Sequence, residues 1–196
     1  MVINGRDEET LNATAEELRT VNGGQITAVA ADINTAEGRA ALLAACSEPD
    51  ILVNNNAGPP PGNFASWGED DWQGALEANL LAPAFMIQGV LEGMKSRRFG
   101  RIVNITSAMV KSPHAAMGLS TAARSGLTAL CKGLSNEAVA HNVTINNLLP
   151  ERFDTDRQKF MAKVMMERQG LSLEQAREAI ANTINAKRFG QPEEFG

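Results

Sequence analysis

Short apolar runs recur along this chain, and a helix-length stretch separates each from the next. Strands that alternate with helices pair in parallel, because each crossover returns the chain to the same end of the sheet. Met1 to Asn4 reads as the end of a strand, and Asp7 to Arg19 as a helix with acids in its first turn. Gln25 to Asp32 is a strand, Thr35 to Cys46 an alanine-rich helix, and Asp50 to Asn55 a buried strand. A long helix fills Glu69 to Arg98, bent at Pro83, and Arg101 to Thr106 is a strand. Ala115 to His141 is helical, and Val143 to Leu149 is a strand closed by Pro150. Arg157 to Ala186 is helical with a break near Gly170, where Ser172 can cap the restart. The pattern predicts an α/β fold with a mainly parallel sheet, one domain over residues 1–196.

Composition narrows the partners. At 196 residues and 43% hydrophobic, the chain can bury one core. Its net charge is −5, its pI is about 5.1, and it has no basic run, which argues against nucleic acid and anionic membrane surfaces. No apolar stretch reads as a bilayer span and the N-terminus has no signal-peptide pattern, so a cytoplasmic location is expected. Cys46 and Cys131 read as reduced, buried thiols, and His114 and His141 lack ligand-spaced neighbours, so no metal is expected.

Three segments carry the chemistry. Asp50-Ile51-Leu52-Val53-Asn54-Asn55-Asn56-Ala57-Gly58 ends a strand in an asparagine-rich turn. Gly100-Arg101-Ile102-Val103-Asn104-Ile105-Thr106-Ser107 is a strand ending on a serine. Thirteen residues after Ser107, Ser120-Thr121-Ala122-Ala123-Arg124-Ser125-Gly126-Leu127 opens a helical stretch. Together they resemble the short-chain dehydrogenase/reductase family, most closely its 3-oxoacyl-carrier-protein reductase branch. In that family a strand-borne serine precedes a Tyr-x-x-x-Lys helix by this spacing, and Asn-Asn-Ala-Gly ends another strand. This chain contains no tyrosine; Ser120 stands at the tyrosine position and Arg124 at the lysine position.

The resemblance runs from Met1 to Gly196. Val2 to Arg6 looks like the family's second strand, and Arg188 to Gly196 like the approach to its penultimate helix. It implies a Rossmann-like, doubly wound sheet that lacks the first strand, with its Gly-rich turn, and the last strand. In the family's sheet the first strand is central. Its lack is expected to leave two inner edges with unpaired backbone groups, each costing about 1–3 kcal/mol when buried.

The resemblance also assigns roles. Asn79, Ser107, Ser120 and Arg124 fall at the catalytic positions. NADP, or NAD, would be held by Arg6 at the adenosine 2′-phosphate and by Asp32 and Ile33 at adenine. Asn55, Asn56, Ala57 and Gly58 would lie beside the ribose and pyrophosphate, with Arg124, Pro150 and Thr155 completing the set. Without the Gly-rich turn, binding is expected to be weak. Where the family has Pro-Gly, this chain has Pro150-Glu151. Residues 157–186 would cover the substrate, with Phe160, Met161, Val164, Met165 and Met166 as an adaptable face.

A serine hydroxyl is far less acidic than a phenol and shorter by a ring, so Ser120 fails as a direct tyrosine substitute in both reach and pKa. Arginine keeps the positive charge but is a poor proton relay. Two readings follow. One is an NAD(P)-dependent oxidoreductase of a carbonyl or secondary alcohol, impaired in this shortened chain. The other is a catalytically inactive protein that keeps the family's oligomer surface. Either would form a homodimer or homotetramer through the helices Glu69 to Arg98 and Ala115 to His141, where Ala122, Ala123, Ser125, Gly126, Ala129 and Gly133 permit close approach.

Overall fold

A computed structural model describes residues 1–22 and 24–195; Gly196, where the family-like stretch ends, lies outside the described residues. The chain divides into two compact units, Met1–Leu149 and Pro150–Gly196.

In the first unit, β1 (Val2–Gly5), α1 (Glu8–Asn22), β2 (Thr27–Ala30), α2 (Ala36–Ala45) and β3 (Ile51–Asn54) follow in order. Then come α3 (Glu69–Leu76), a π turn (Glu77–Leu81) and α4 (Ala82–Arg97), followed by β4 (Gly100–Ile105), α5 (Gly118–Ala138) and β5 (Val143–Leu148). Every strand pairing is parallel, as the strand–helix alternation requires. The strands form two sheets, β1-β2 and β3-β4-β5, and among the described residues no pairing joins β1 to β3.

The core lies on one face of the larger sheet. Ile87, Val90, Leu91 and Met94 of α4 and Leu127 and Cys131 of α5 pack on Ile102, Val143 and Ile145. The opposite face is open at β3, where Ile51 is 61% and Val53 59% exposed. This corrects the expectation of a buried strand: the alternation of strand side chains places Leu52 and Asn54 on the covered face and leaves Ile51 and Val53 outside.

A polar ladder crosses that covered face. Asn54, Asn104 and Asn147 stand side by side by strand register. Asn54 Nδ2 donates to Asn104 Oδ1 at 2.9 Å, and Asn104 Nδ2 donates to Asn147 Oδ1 at 3.1 Å and to Cys131 Sγ at 3.2 Å. Burial pushes the Cys131 thiol up to about 11, so it stays protonated and apolar in character.

The run Glu69–Arg97 is long and apolar enough to cross a membrane by length and composition, contrary to the reading of the sequence. Its apolar side chains Met86, Ile87, Val90 and Met94 are buried in the core instead. Its irregularity is the π turn that precedes Pro83, rather than a bend centred on the proline. Proline has no N–H to give the carbonyl of Asn79, four residues back, and it sits in the first turn of α4, where that loss is tolerated.

In the second unit, α6 (Asp156–Gln169) ends at Gly170, whose φ of 66° is the left-handed conformation glycine adopts freely. Ser172 then caps α7 (Leu173–Thr183), accepting from the Gln175 N–H while the Gln175 side chain accepts from the Ser172 N–H. Met161, Met165 and Met166 pack with Ala162, Ala176, Ile180 and Phe189 in this unit's own core, while Phe160 is exposed.

Replacing Asn104 with alanine strips both its neighbours of a buried partner, and each such loss costs about 1–3 kcal/mol. Asn104→Ala should therefore destabilise by about 2–4 kcal/mol, against about 1 kcal/mol for the cap variant Ser172→Ala. Urea unfolding curves of the two variants check this; equal losses would show that the ladder contributes no more than a cap.

Candidate active site

The ends of β3 and β4 meet the first two turns of α5 through one side chain. Arg124 is 7% exposed, and its guanidinium donates to four oxygens. Nη1 reaches the carbonyls of Ile105 at 2.7 Å and Thr106 at 3.1 Å; Nη2 reaches the Asn56 carbonyl at 3.0 Å; Nε reaches Ser120 Oγ at 3.2 Å. These acceptors lie where two parallel strands end, the place at which open α/β sheets bind their ligands.

Serine and arginine sit at i and i+4 on α5, so their side chains share a face. The opposing turn must come close, and Gly58 permits it. A Cβ there would lie 3.4 Å from Arg124 Nη2 and 3.7 Å from Ser120 Oγ. Ser120 is 3% exposed, beneath this contact.

Two asparagines tie the same turn to the π turn. Asn56 Nδ2 donates to the Ala78 carbonyl at 2.6 Å, and Asn79 Nδ2 donates to the Ala57 carbonyl at 3.2 Å. Asn79 is 2% exposed, and its Oδ1 is buried without a hydrogen-bond partner. Single π turns inside α-helices are frequent at functional sites, and this one brings Asn79 against the 56–58 turn.

Ser107 follows β4 and caps a short helical turn, its Oγ accepting the Met109 N–H at 3.2 Å. With one lone pair taken, the hydroxyl hydrogen is left to donate elsewhere. Ser107 is half-buried, so a ligand can reach it.

The other sequence-derived positions lie in three places. Arg6 is exposed just after β1, at a cavity of about 440 Å³ that Asn4, Gly5, Thr10 and Leu11 also line. The Asp7 carboxyl in that wall accepts the Thr10 N–H at the start of α1, and hydrogen bonding with the Thr10 side chain, then with its N–H, lowers its pKa. Asp32 and Ile33 follow β2: the Asp32 carboxyl accepts the Asn34 N–H, and the Ile33 carbonyl accepts from Arg39. Asn55 is exposed between Asn54 and Asn56. Pro150 and Thr155 belong to the second unit, where the Thr155 hydroxyl donates to the Phe153 carbonyl at 3.4 Å. There too, Glu151 lies 3.8 Å from Arg152.

Sequence reasoning missed the acceptors of the Arg124 fork, because main-chain carbonyls leave no trace in residue type. It also missed a cavity of about 340 Å³ lined by Gly58, Pro59, Trp67, Asn79 and Leu119 among others. The proline run Pro59-Pro60-Pro61 was the available signal, since such a run builds a stiff wall. Trp67 stands edge-on to Trp72 with ring centroids 6.0 Å apart.

The family model described as short chain dehydrogenase matches residues 1–165. The NADPH-dependent reductase BacG of Bacillus subtilis is 28% identical over 199 residues, covering 99% of this chain and 77% of that protein. The 3-oxoacyl-[acyl-carrier-protein] reductase FabG of Chlamydia pneumoniae is 31% identical over 156 residues, 78% of this chain and 62% of FabG. Among solved structures, L-sorbose reductase from Gluconobacter frateurii, complexed with NADPH and L-sorbose, superposes with a TM-score of 0.91 at 25% identity, covering 99% of this chain and 76% of that one.

Restoring the family's Tyr and Lys tests how closed the Ser120 position is. A tyrosine must displace the Gly58 turn, and overpacking of this kind typically costs about 1–3 kcal/mol. The Ser120→Tyr/Arg124→Lys double variant should melt well below wild type and gain no reductase turnover. Unchanged melting by calorimetry, together with new turnover, would show that the position is open.

Proposed function

The chain belongs to the short-chain dehydrogenase family, and on that premise we propose that it is an NADPH-dependent oxidoreductase that interconverts a small carbonyl compound and its secondary alcohol. Ser107 carries this reading: it is a half-buried hydroxyl at the end of a parallel strand, its oxygen engaged by the Met109 N–H and its proton available to a substrate oxygen. A donor preorganised at the reacting oxygen is worth about 10²–10³ in rate.

The residues fit a phosphorylated dinucleotide at its adenosine end. Arg6 supplies an exposed cation beside a cavity of about 440 Å³, and the neighbouring acid is committed to the start of α1. Arg6 would hold the 2′-phosphate, Asp32 and Ile33 the adenine, and the 55–58 turn the ribose and pyrophosphate. Bound there, NADPH supplies the reducing equivalent. Asn79 joins the site through the Ala57 carbonyl. We propose weak binding by this chain, in which β1 and β3 share no pairing among the described residues. We further propose that residues 157–186 cover the substrate.

A second reading, a catalytically silent family member acting through its oligomer surface, is supported by the Arg124 fork being directed at four oxygens of the fold. It is also supported by the exposed Phe85 of α4 and Leu130 of α5, which offer apolar area for a homodimer or homotetramer. Ala123, expected at that contact, is fully buried within the chain itself.

Titration of this chain with NADPH, followed by the fluorescence of Trp67 and Trp72, should saturate only well above micromolar concentrations. Arg6→Ala should weaken NADPH about tenfold or more, the range of a lost charge-assisted bond, and leave NADH unchanged. In ketone reduction, Ser107→Ala should reduce kcat by about 10²–10³. Absence of binding and turnover with both cofactors favours the silent reading; turnover that survives Ser107→Ala and is lost in Ser120→Ala refutes the role given to Ser107.

A further inference from the structure

We propose that Arg124 is a positioning residue: its guanidinium sets the separation between the Asn56–Gly58 turn and the strand end that carries Ser107. The inference rests on the oxidoreductase reading for its effect on turnover, and on geometry alone for the clamp itself. Three of the four acceptors are main-chain carbonyls at the ends of two neighbouring strands. Ile105 and Thr106 immediately precede Ser107, and Asn56 immediately precedes Ala57 and Gly58. A single buried cation therefore ties the turn after β3 to the end of β4.

The chemistry of the side chain explains why it is arginine. A guanidinium presents five N–H donors in a rigid planar fork, so Nη1, Nη2 and Nε can serve different elements at once. A lysine ammonium has three donors on one point at the end of a flexible stem, and it cannot span the same acceptors. The guanidinium also remains charged at any working pH, so it transfers no proton. Its work is to hold.

Ser120 belongs to the same device. Its Oγ lies one helical turn before Arg124 and accepts Nε–H at 3.2 Å, which fixes the plane of the fork. A serine is small enough to leave the Gly58 turn near the guanidinium, where a Cβ on Gly58 would lie 3.4 Å from Arg124 Nη2. The serine and the arginine therefore stand at their two positions as one unit, whose function is spacing in place of proton relay.

Position matters because a displacement of about 1 Å at a reacting group can cost about 10²-fold in rate. The experiment compares wild type with Arg124→Lys in two measurements. Amide hydrogen exchange without ligand should accelerate at least tenfold at Thr106, whose N–H donates to the Leu148 carbonyl at 2.8 Å, and stay unchanged in α1. In ketone reduction, kcat should fall about 10²-fold with the pH profile unmoved, and added guanidinium should partly restore turnover in Arg124→Ala. Should the lysine variant not fold, Arg124→Gln, which keeps a planar neutral donor, carries the same comparison. Unchanged exchange at the Thr106 amide overturns the clamp, and a shifted pH profile overturns it in favour of a proton relay. If wild type shows no ketone reduction, the oxidoreductase reading fails, while the exchange result still decides the clamp.

Discussion

A buried guanidinium has to be surrounded by oxygen, because a desolvated charge without hydrogen-bond partners is prohibitively costly. In this protein the oxygens around Arg124 come from three separate elements: the turn after β3, the last residues of β4, and Ser120 of α5. Those carbonyls lie at the ends of the two strands or just beyond them. Charge and carbonyls satisfy each other, and neither can be removed alone. The arrangement at the crevice follows from this mutual requirement. Gly58 lies close because the fork draws in Asn56, and Ser107 is presented beyond a strand end whose last two carbonyls are tethered.

The neighbouring polar contacts work in the same direction. The Asn54–Asn104–Asn147 ladder holds β3, β4 and β5 in register beneath the site. Asn56 and Asn79 join the turn to the π turn on the other side. Buried polar networks of this kind stabilise only when every member is satisfied, and they then specify a single arrangement. The exception is the Asn79 Oδ1, which is buried without a partner in the wall of a cavity. By contrast β3 is lightly constrained on its other side, where Ile51 and Val53 face outward. A parallel strand is ordinarily covered on both faces, so this is the thinnest part of the first unit.

Membership of the short-chain dehydrogenase family sets the frame for function, and the serine and arginine on α5 set the departure from it. The family's usual pair offers a phenol of adjustable pKa beside an ammonium. The pair found here offers an aliphatic hydroxyl that accepts from a permanently charged fork. The physical properties differ in reach, acidity and geometry. Ser107, by contrast, is half-buried, with its Oγ accepting the Met109 N–H.

The sequence by itself determined the strand–helix alternation, the parallel pairing and the family, because hydrophobic period and the spacing from Ser107 to Ser120 are properties of order along the chain. It also determined the break at Gly170 and the cap at Ser172, which depend on neighbours a few residues away. Only the tertiary structure decided the rest. The division of the strands into two sheets, the exposure of Ile51 and Val53, and the inward turn of Ala123 depend on which elements end up beside one another. The partners of Arg124 were equally hidden. A lysine-position arginine could have been read as a ribose ligand or a plain helix residue, because main-chain carbonyls carry no residue identity. Their convergence on one guanidinium exists only once β3, β4 and α5 have packed.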